Sequence, residues 1–403
     1  MIQYRLSKLF YFISLVLAAA AFGCSTKESK SVATWFDHST EKQASITTNS
    51  AKSTVGVSHA TRFQLDSWKQ YSTIEVIHPQ KNQADTLHYL LYPRQKKAPD
   101  VKSRNTVRIP VPLEKMIIFS TTHAAMLAEL DAAGAVVGMG ESEWVVNEAF
   151  RTRLERGKIT ALPGADNLAM EQIISLNPDA IMVIGQFANQ SSRLQKLKDL
   201  GIPVIINADW LEQTPLGRAE WIRMIGRLVG KPHQADSLFN EIAKQYKRLN
   251  GLTNPSTINE KPKVLMNLSF KDQWYVPGGS SYMAALLHDA GADYPWQDTD
   301  ETGGIPMSFE EIYQIGLSAD IWLNPGAAST KKEILETEQR LKEFKPFTND
   351  AIYNITKWRG EGGGYAFWER GVVHPEEILA DLTKLLHPQL LPDHTLIYYE
   401  KLD

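Results

Sequence analysis

The chain has 403 residues, a formal net charge of −3 at pH 7, 43% hydrophobic residues and 22% charged residues. That balance belongs to a folded globular protein with room for two domains. With no basic excess and no Lys/Arg run, the composition excludes a nucleic-acid binder, and a single cysteine excludes a disulfide framework.

The N-terminus reads first. Arg5 and Lys8 precede an apolar run, Leu9 to Phe22, broken only by Ser14. The run is shorter than the ~20 residues that cross a bilayer, and small residues collect at its end, so residues 1–23 are expected to be a secretory signal. Ala21-Phe22-Gly23-Cys24 resembles a bacterial lipobox, in which the cysteine becomes the lipidated first residue. Cleavage there would remove Arg5 and Lys8 and leave a mature charge of −5. Cys24 is the only cysteine, so its expected use is attachment. Residues 24–58 are rich in Ser, Thr, Lys and Ala and read as a flexible tether. No other segment is apolar and long enough to span a membrane.

Ile74-Glu75-Val76-Ile77 and Leu87 to Tyr92 alternate like the strands of a hairpin. From Val111 apolar strands alternate with amphipathic helices. Met116–Phe119, Val136–Met139, Ala180–Ile184 and Pro203–Ile206 are the strands; Ala124–Leu130, Met170–Leu176 and Ser192–Leu200 are the helices. This pattern predicts a parallel sheet covered on both faces. Pro215 to Leu252 is predominantly helical, interrupted near Gly230-Lys231-Pro232, with apolar residues at helical spacing from Ala235 to Leu249. The α/β alternation then restarts with Val264–Leu268, Tyr282–Ala290, Ser308–Ile315 and Asp320–Leu323, and closes on an amphipathic helix from Pro375 to Leu386. The expected fold is α/β: an N-terminal lobe over 59–214, a linking helix over 215–252 and a C-terminal lobe over 253–403. A single rigid helix between lobes predicts modest opening rather than a wide clamp motion.

Four stretches resemble one family, over about Val111 to Pro388. They are Glu171-Gln172-Ile173-Ile174-Ser175-Leu176-Asn177-Pro178-Asp179-Ala180-Ile181; Pro277-Gly278-Gly279-Ser280-Ser281-Tyr282 with Ala290-Gly291-Ala292; Ser308-Phe309-Glu310-Glu311-Ile312; and Phe367-Trp368-Glu369-Arg370-Gly371 through His374-Pro375 and Leu386-His387-Pro388. They are similar to the helical-backbone (class III) periplasmic binding proteins of ABC importers for siderophores, haem and cobalamin. The resemblance implies two Rossmann-like lobes joined by one long rigid helix, with a ligand cleft between them. It implies a monomer that captures a metal chelate, an iron–siderophore complex first and cobalamin or haem next, without a cofactor of its own. The partners it implies are an ABC permease and its ATPase, with the membrane touched only through the lipid anchor and the periplasm as compartment. It further implies one permease-docking glutamate per lobe: Glu171 in the first, and Glu310 in the second. In lobe two the Pro expected seven residues on is Leu317; a one-residue insertion would restore the spacing and leaves Glu311 open.

In α/β lobes ligands bind beyond the carboxyl ends of the strands. That rule points to Ser120–His123, Glu141–Trp144, Gly185–Phe187 and Asp209-Trp210 in lobe one. In lobe two it points to Asp272–Tyr275, Trp296–Gly304, Asn324–Ala327 and Trp358–Tyr365. Trp144, Trp210, Trp274, Tyr275 and Trp358 offer aromatic faces to a large flat ligand, or serve as core and inter-lobe packing. His123 could ligate a metal centre or cap the next helix. Arg359, with Lys357, could meet an anionic chelate or be surface charge. Gly360-Glu361-Gly362-Gly363-Gly364 lacks the Lys-Ser/Thr of a phosphate loop and fits close approach of a ligand or of the partner lobe.

Competing readings are a free zinc or manganese receptor, an anchored periplasmic hydrolase and a structural lipoprotein. The first needs converging His and carboxylate ligands, whereas the ten histidines are scattered. The second lacks Gly-x-Ser-x-Gly, His-Glu-x-x-His and a nucleophilic cysteine, so no enzyme activity is expected. The third does not account for the paired glutamate helices or the aromatic loops.

Overall fold

The computed structural model describes residues 56–68, 70–79, 84–100, 106–185, 192–254, 256, 258 and 260–403. The expected signal, Cys24 and nearly all of the tether lie outside the described residues, as does part of the Gly185–Phe187 loop. No helix among the described residues is long and apolar enough to cross a membrane.

Chain order begins with a four-stranded sheet: β1 (Phe63–Ser67), β2 (Ser72–Pro79), β3 (Ala84–Pro93) and β4 (Thr106–Val111). β1, β2 and β3 are antiparallel neighbours, and β4 runs parallel to β3. This sheet is fastened at three places, two on the five-stranded sheet of lobe one and one on the helical link. Tyr89, in β3, is buried, and its hydroxyl donates to Val204 O at 3.3 Å and accepts from Ile206 N at 3.0 Å. Arg94 pairs with Asp179 at 2.6 Å, and the Phe63 ring packs 4.7 Å from Trp221.

Lobe one carries a five-stranded sheet in the order β7-β6-β5-β8-β9, formed by β5 (Met116–Ile118), β6 (Val136–Gly140), β7 (Thr160–Leu162), β8 (Ala180–Ile184) and β9 (Val204–Asn207). Every pairing is parallel. Met116, Ile117, Ile118, Ile181 and Met182 are completely buried, as parallel strands covered on both faces must be. The sheet order reverses at β5, so the space beyond the carboxyl ends of β5 and β8 is where a ligand fits.

The chain then passes through three helical pieces, Pro215–Glu220, Ile222–Leu228 and Pro232–Asn250. The first two are buried at every position. The third is the linking helix, 19 residues long, with Ala235, Phe239, Ile242, Ala243, Tyr246 and Leu249 on its buried face. The break between second and third pieces falls at Gly230, whose φ of +73° suits a helix C-terminus, with Pro232 opening the next helix.

Lobe two holds β10 (Val264–Met266), β11 (Trp274–Pro277), β12 (Gly304–Met307), β13 (Ile321–Leu323), β14 (Ile352–Asn354) and β15 (Glu400–Lys401). β10, β13 and β14 are parallel, β15 closes the edge antiparallel to β14, and β11 and β12 make a separate antiparallel pair. Its helices include Tyr282–Asp289, Phe309–Gly316, Arg370–Val373 and Pro375–Leu386.

The two lobes repeat one local device. Asp179 immediately precedes β8 and Asp320 immediately precedes β13. Each donates its amide to the strand-one backbone, to Lys115 O and Lys263 O, both at 2.8 Å. Each carboxylate accepts the returning amide, Lys115 N at 2.9 Å and Lys263 N at 2.8 Å. Each is also matched by a cation, Arg94 or Lys345. The repeated aspartate ties the start of one parallel strand to the start of its neighbour in each lobe.

Candidate functional site between the lobes

The lobes meet with their strand-end loops in direct contact. Gly360, Gly362 and Gly364 of lobe two lie against residues 143–146 of lobe one. A Cβ on Gly362 would fall 1.6 Å from Glu143 O, and one on Gly364 would fall 1.8 Å from Trp144 O. The glycine run therefore admits the partner lobe's backbone. Glu369 completes this contact: its buried carboxylate accepts from Val146 N and Asn147 N, both at 2.7 Å. Burial pushes that carboxyl up to about 7, against the two amide hydrogen bonds.

A second bridge joins the lobes at the helix that follows β5. Arg370 Nη1 reaches Glu129 Oε1 at 2.5 Å, and His374 Nε2 lies 3.2 Å from the same oxygen. His374 Nδ1 meets Glu376 at 2.9 Å. Burial works against charge on His374, but the Glu129 and Glu376 carboxylates raise it to about 9. His374, Glu376 and Glu377 come close enough to hold a metal ion. Arg370 already occupies Glu377 at 2.7 Å and 3.1 Å, so the group is neutralised from within and reads as an ion network.

Several polar atoms on the loops and helix starts of the two lobes are buried without hydrogen-bond partners. His123 follows β5 at the start of the Thr121–Glu129 helix; Ser120 caps that helix, so His123 does not. Its side chain is fully buried, neither ring nitrogen has a hydrogen-bond partner, and burial lowers its pKa to about 3. It is a neutral imidazole. Trp210 Nε1, Arg218 Nε, Thr356 Oγ1 and Tyr365 Oη are likewise buried and unpartnered. Trp210 follows β9, Thr356 follows β14, and Tyr365 sits on the glycine loop. Arg218 lies over the Tyr282 ring at 4.6 Å and reaches Asp209 at 3.4 Å, which links lobe one to the first helix of lobe two. Burial raises the Asp209 carboxyl, and Arg218 opposes that rise. Trp368 stands 6.5 Å from Tyr282, edge to face.

The remaining expected residues divide. Trp144 lies in the lobe-one loop that meets the glycines. Trp358 is 44% exposed and stacks on Tyr398 at 6.5 Å, while exposed Arg359 lies over Tyr365 at 5.4 Å. Trp274 is a correction. It is buried in lobe two, packs on Trp322 at 5.8 Å and donates Nε1–H to Met266 O at 2.9 Å. Strand alternation turns Trp274 and Val276 inward, leaving Tyr275 half-buried on the other face. Arg218, Tyr282 and Glu369 were missed as site residues. Arg218 sits in a buried helix with no sequence signal to mark it, and Tyr282 and Glu369 read only as parts of family stretches.

The two glutamate helices can be superposed residue by residue. Glu171 and Glu310 both occupy the second helical position, and each stands two residues before a completely buried isoleucine, Ile173 and Ile312. Glu311 is spent on a capping box, accepting from Ser308 N at 3.0 Å and Ser308 Oγ at 2.6 Å. Glu310 remains 75% exposed and meets Arg340 at 3.3 Å.

A separate groove of about 620 Å³ opens where the linking helix meets lobe two, lined by Ser58, His59, Thr214, Tyr246, His288 and Gln297 among others. It lies against the N-terminal strap and not among the unpartnered groups.

Comparison with known proteins agrees with the two-lobed fold. Residues 117–357 match the family model described as periplasmic binding protein. An uncharacterized lipoprotein of Methanocaldococcus jannaschii is 28% identical over 291 residues, 70% of this chain and 67% of that protein. An uncharacterized ABC transporter substrate-binding lipoprotein of Bacillus subtilis is 23% identical over 261 residues, 64% of this chain and 77% of that protein. Among solved structures, a periplasmic haem-binding protein of Pseudomonas aeruginosa covers 72% of this chain and 98% of its own length, at a TM-score of 0.53 and 15% identity. A periplasmic binding protein of Veillonella parvula covers 78% and 98%, at a TM-score of 0.55 and 14% identity. The chain belongs to the periplasmic binding protein family of the class III, siderophore/haem/B12 type, the solute-binding subunits of ABC importers.

Proposed function

We propose that this protein captures a bulky metal chelate, a ferric siderophore first, in the cleft between its lobes and delivers it to an ABC permease and its ATPase. The observation that carries this reading is the set of buried polar atoms without partners: both ring nitrogens of His123, Trp210 Nε1, Arg218 Nε, Thr356 Oγ1 and Tyr365 Oη. Leaving one such group unsatisfied costs roughly 1–3 kcal/mol, so unpartnered atoms on residues that follow the strands of both lobes call for a partner that a ligand would supply. Trp210 and Arg218 offer only N–H, and the hydroxyls of Thr356 and Tyr365 can donate as well. A donor-rich lining suits a ligand rich in acceptor oxygens, as hydroxamate, catecholate and carboxylate chelators are. Haem is the second reading, and one observation favours it: the neutral, unpaired imidazole of His123 is in the form that ligates iron.

Glu171 and Glu310 are the permease-docking residues in this reading, with Glu311 set aside by its capping role. Cys24 carries the lipid that holds the protein to the cell membrane on its periplasmic face, and residues 24–58 supply the reach. Residues 59–214, 215–252 and 253–403 then act as lobe, link and lobe.

The test is tryptophan fluorescence of residues 25–403, titrated with a panel of ferric siderophores, haem and cyanocobalamin. Saturable quenching by a ferric siderophore at micromolar concentration or below, lost in Arg218→Ala, is the expected result. Saturation by haem alone, with loss in His123→Ala, selects the second reading. No saturable response from any of the three sinks the chelate reading.

A further inference from the structure

Among the described residues, four large hydrophobic side chains are strongly exposed: Ile174, Leu200, Leu317 and Trp358. Two of the four fall on the glutamate helices. Ile174 is three residues after Glu171 and is 47% exposed. Leu317 is seven residues after Glu310 and is 43% exposed, and it keeps helical backbone angles as the C-cap of its helix. Offsets of three and seven return to the same helical face, so each exposed apolar side chain stands on the stripe that carries the glutamate. By the helical rise, Ile174 lies about 4.5 Å and Leu317 about 10 Å beyond its glutamate along the axis.

The geometry points to a two-part docking patch on each lobe, an acidic contact backed by an apolar anchor, Glu171 with Ile174 and Glu310 with Leu317. This inference rests on the transport reading and assigns the apolar half of that contact. The occupant it fits is a membrane permease that presents a cation on each half, bordered by an apolar depression. Charge complementarity argues for it. The exposed carboxylates call for cations, and an apolar side chain beside each supplies the desolvated centre that lone exposed ion pairs lack. The two lobes differ in one respect. Among the described residues Glu171 has no ion pair, whereas Glu310 is held by Arg340, which also pairs with Glu338 and lies 4.3 Å over the Phe309 ring. Lobe two must exchange this internal arginine for the permease's cation; lobe one is free to dock at once.

The experiment measures binding of the purified chain to its permease–ATPase complex in nanodiscs, over a range of salt. Ile174→Ser and Leu317→Ser are each expected to weaken Kd about ten-fold, with the slope of log Kd against log salt unchanged, because an apolar anchor is removed and no charge. The Glu171→Gln/Glu310→Gln double variant is expected to weaken binding and flatten the salt slope. Thermal melting of the serine variants is expected to match wild type, since both positions face solvent. Serine variants within two-fold of wild type, beside glutamine variants that lose binding, overturn the apolar anchors and leave the acidic docking intact. Glutamine variants that bind like wild type overturn the docking reading itself.

Discussion

At residue scale, closure depends on side chains that are not there. Glu143 O and Trp144 O occupy the positions where Cβ atoms would stand on Gly362 and Gly364, so the cleft shuts on bare backbone. Gly362→Ala would place a methyl group inside the van der Waals radius of a carbonyl on the other lobe. The backbone on either side must retreat, and the Glu369 hydrogen bonds to Val146 and Asn147 go with it. The expected outcome is a lobe pair that folds normally, with a melting temperature close to wild type, but binds its ligand at least ten-fold more weakly. Small-angle scattering and the fluorescence titration check this together. A variant with unchanged affinity would mean the contact is incidental to binding. Composition alone showed that the Gly360–Gly364 run serves close approach; that the approaching group is the other lobe's backbone required the fold. Trp274 shows the opposite failure. An aromatic residue near a strand end reads as a ligand contact, but Trp274 is in the strand, and its alternation with Tyr275 points it into the core.

At element scale, helix starts rest on local chemistry. Ser281, Ser308 and Thr330 each accept from the amide three residues on, and such caps are local chemistry that needs no tertiary context. Ser308→Ala removes the hydroxyl half of a capping box and is expected to lower stability by about 1 kcal/mol, read from urea unfolding, while Glu311 keeps only its bond from the residue-308 amide. The strap ahead of β1 was not legible, since its partners lie about 150 residues away. Glu220, completely buried, accepts from Ser58 N, His59 N and Ala60 N, and Glu212 accepts from Thr61 N and Arg62 N. Five successive amides are held by two carboxylates, Glu212 just ahead of the link and Glu220 in it, so the tether meets the folded body at the start of the helical link. Glu220→Ala leaves three amides and Arg223, 3.4 Å away, without that anion. It is expected to destabilise lobe one by about 3 kcal/mol in urea unfolding. Four of the five parallel strands of lobe one were readable from their apolar runs; β7, three residues long with only Leu162 buried, was not. β4 was not, because Pro110 and exposed Arg108 mask its strand character.

At the scale of the whole molecule, the two inter-lobe bridges respond to pH in separate windows. His374 is held at about 9 by Glu129 and Glu376, above the ordinary 6.5. A group whose pKa is raised on folding contributes fully below its unfolded value and loses that contribution as pH rises through the folded value. The rear bridge is therefore intact at neutral pH and weakens between about 6.5 and 9, by on the order of 1–3 kcal/mol. Melting temperature is expected to fall across that window in wild type and to lose that slope in His374→Asn. Glu369 works at the front. Opening the lobes exposes its carboxylate and returns it from about 7 toward the ordinary value near 4.3. Closing then takes up a proton between those limits, so the closed form gains as pH falls from 7 to 5, by up to ten-fold in population per pH unit. Acid tightens the front contact, although the hydrogen bonds to Val146 and Asn147 alone would favour the ionised form, because burial outweighs them. Inter-lobe distance by single-molecule energy transfer, followed from pH 6.5 to pH 5, below the His374 window, is expected to shift toward the closed form in wild type and to stay constant in Glu369→Gln, which carries no charge at either end. A shift toward the open form on acidification would mean that the two amide bonds, and not burial, govern Glu369.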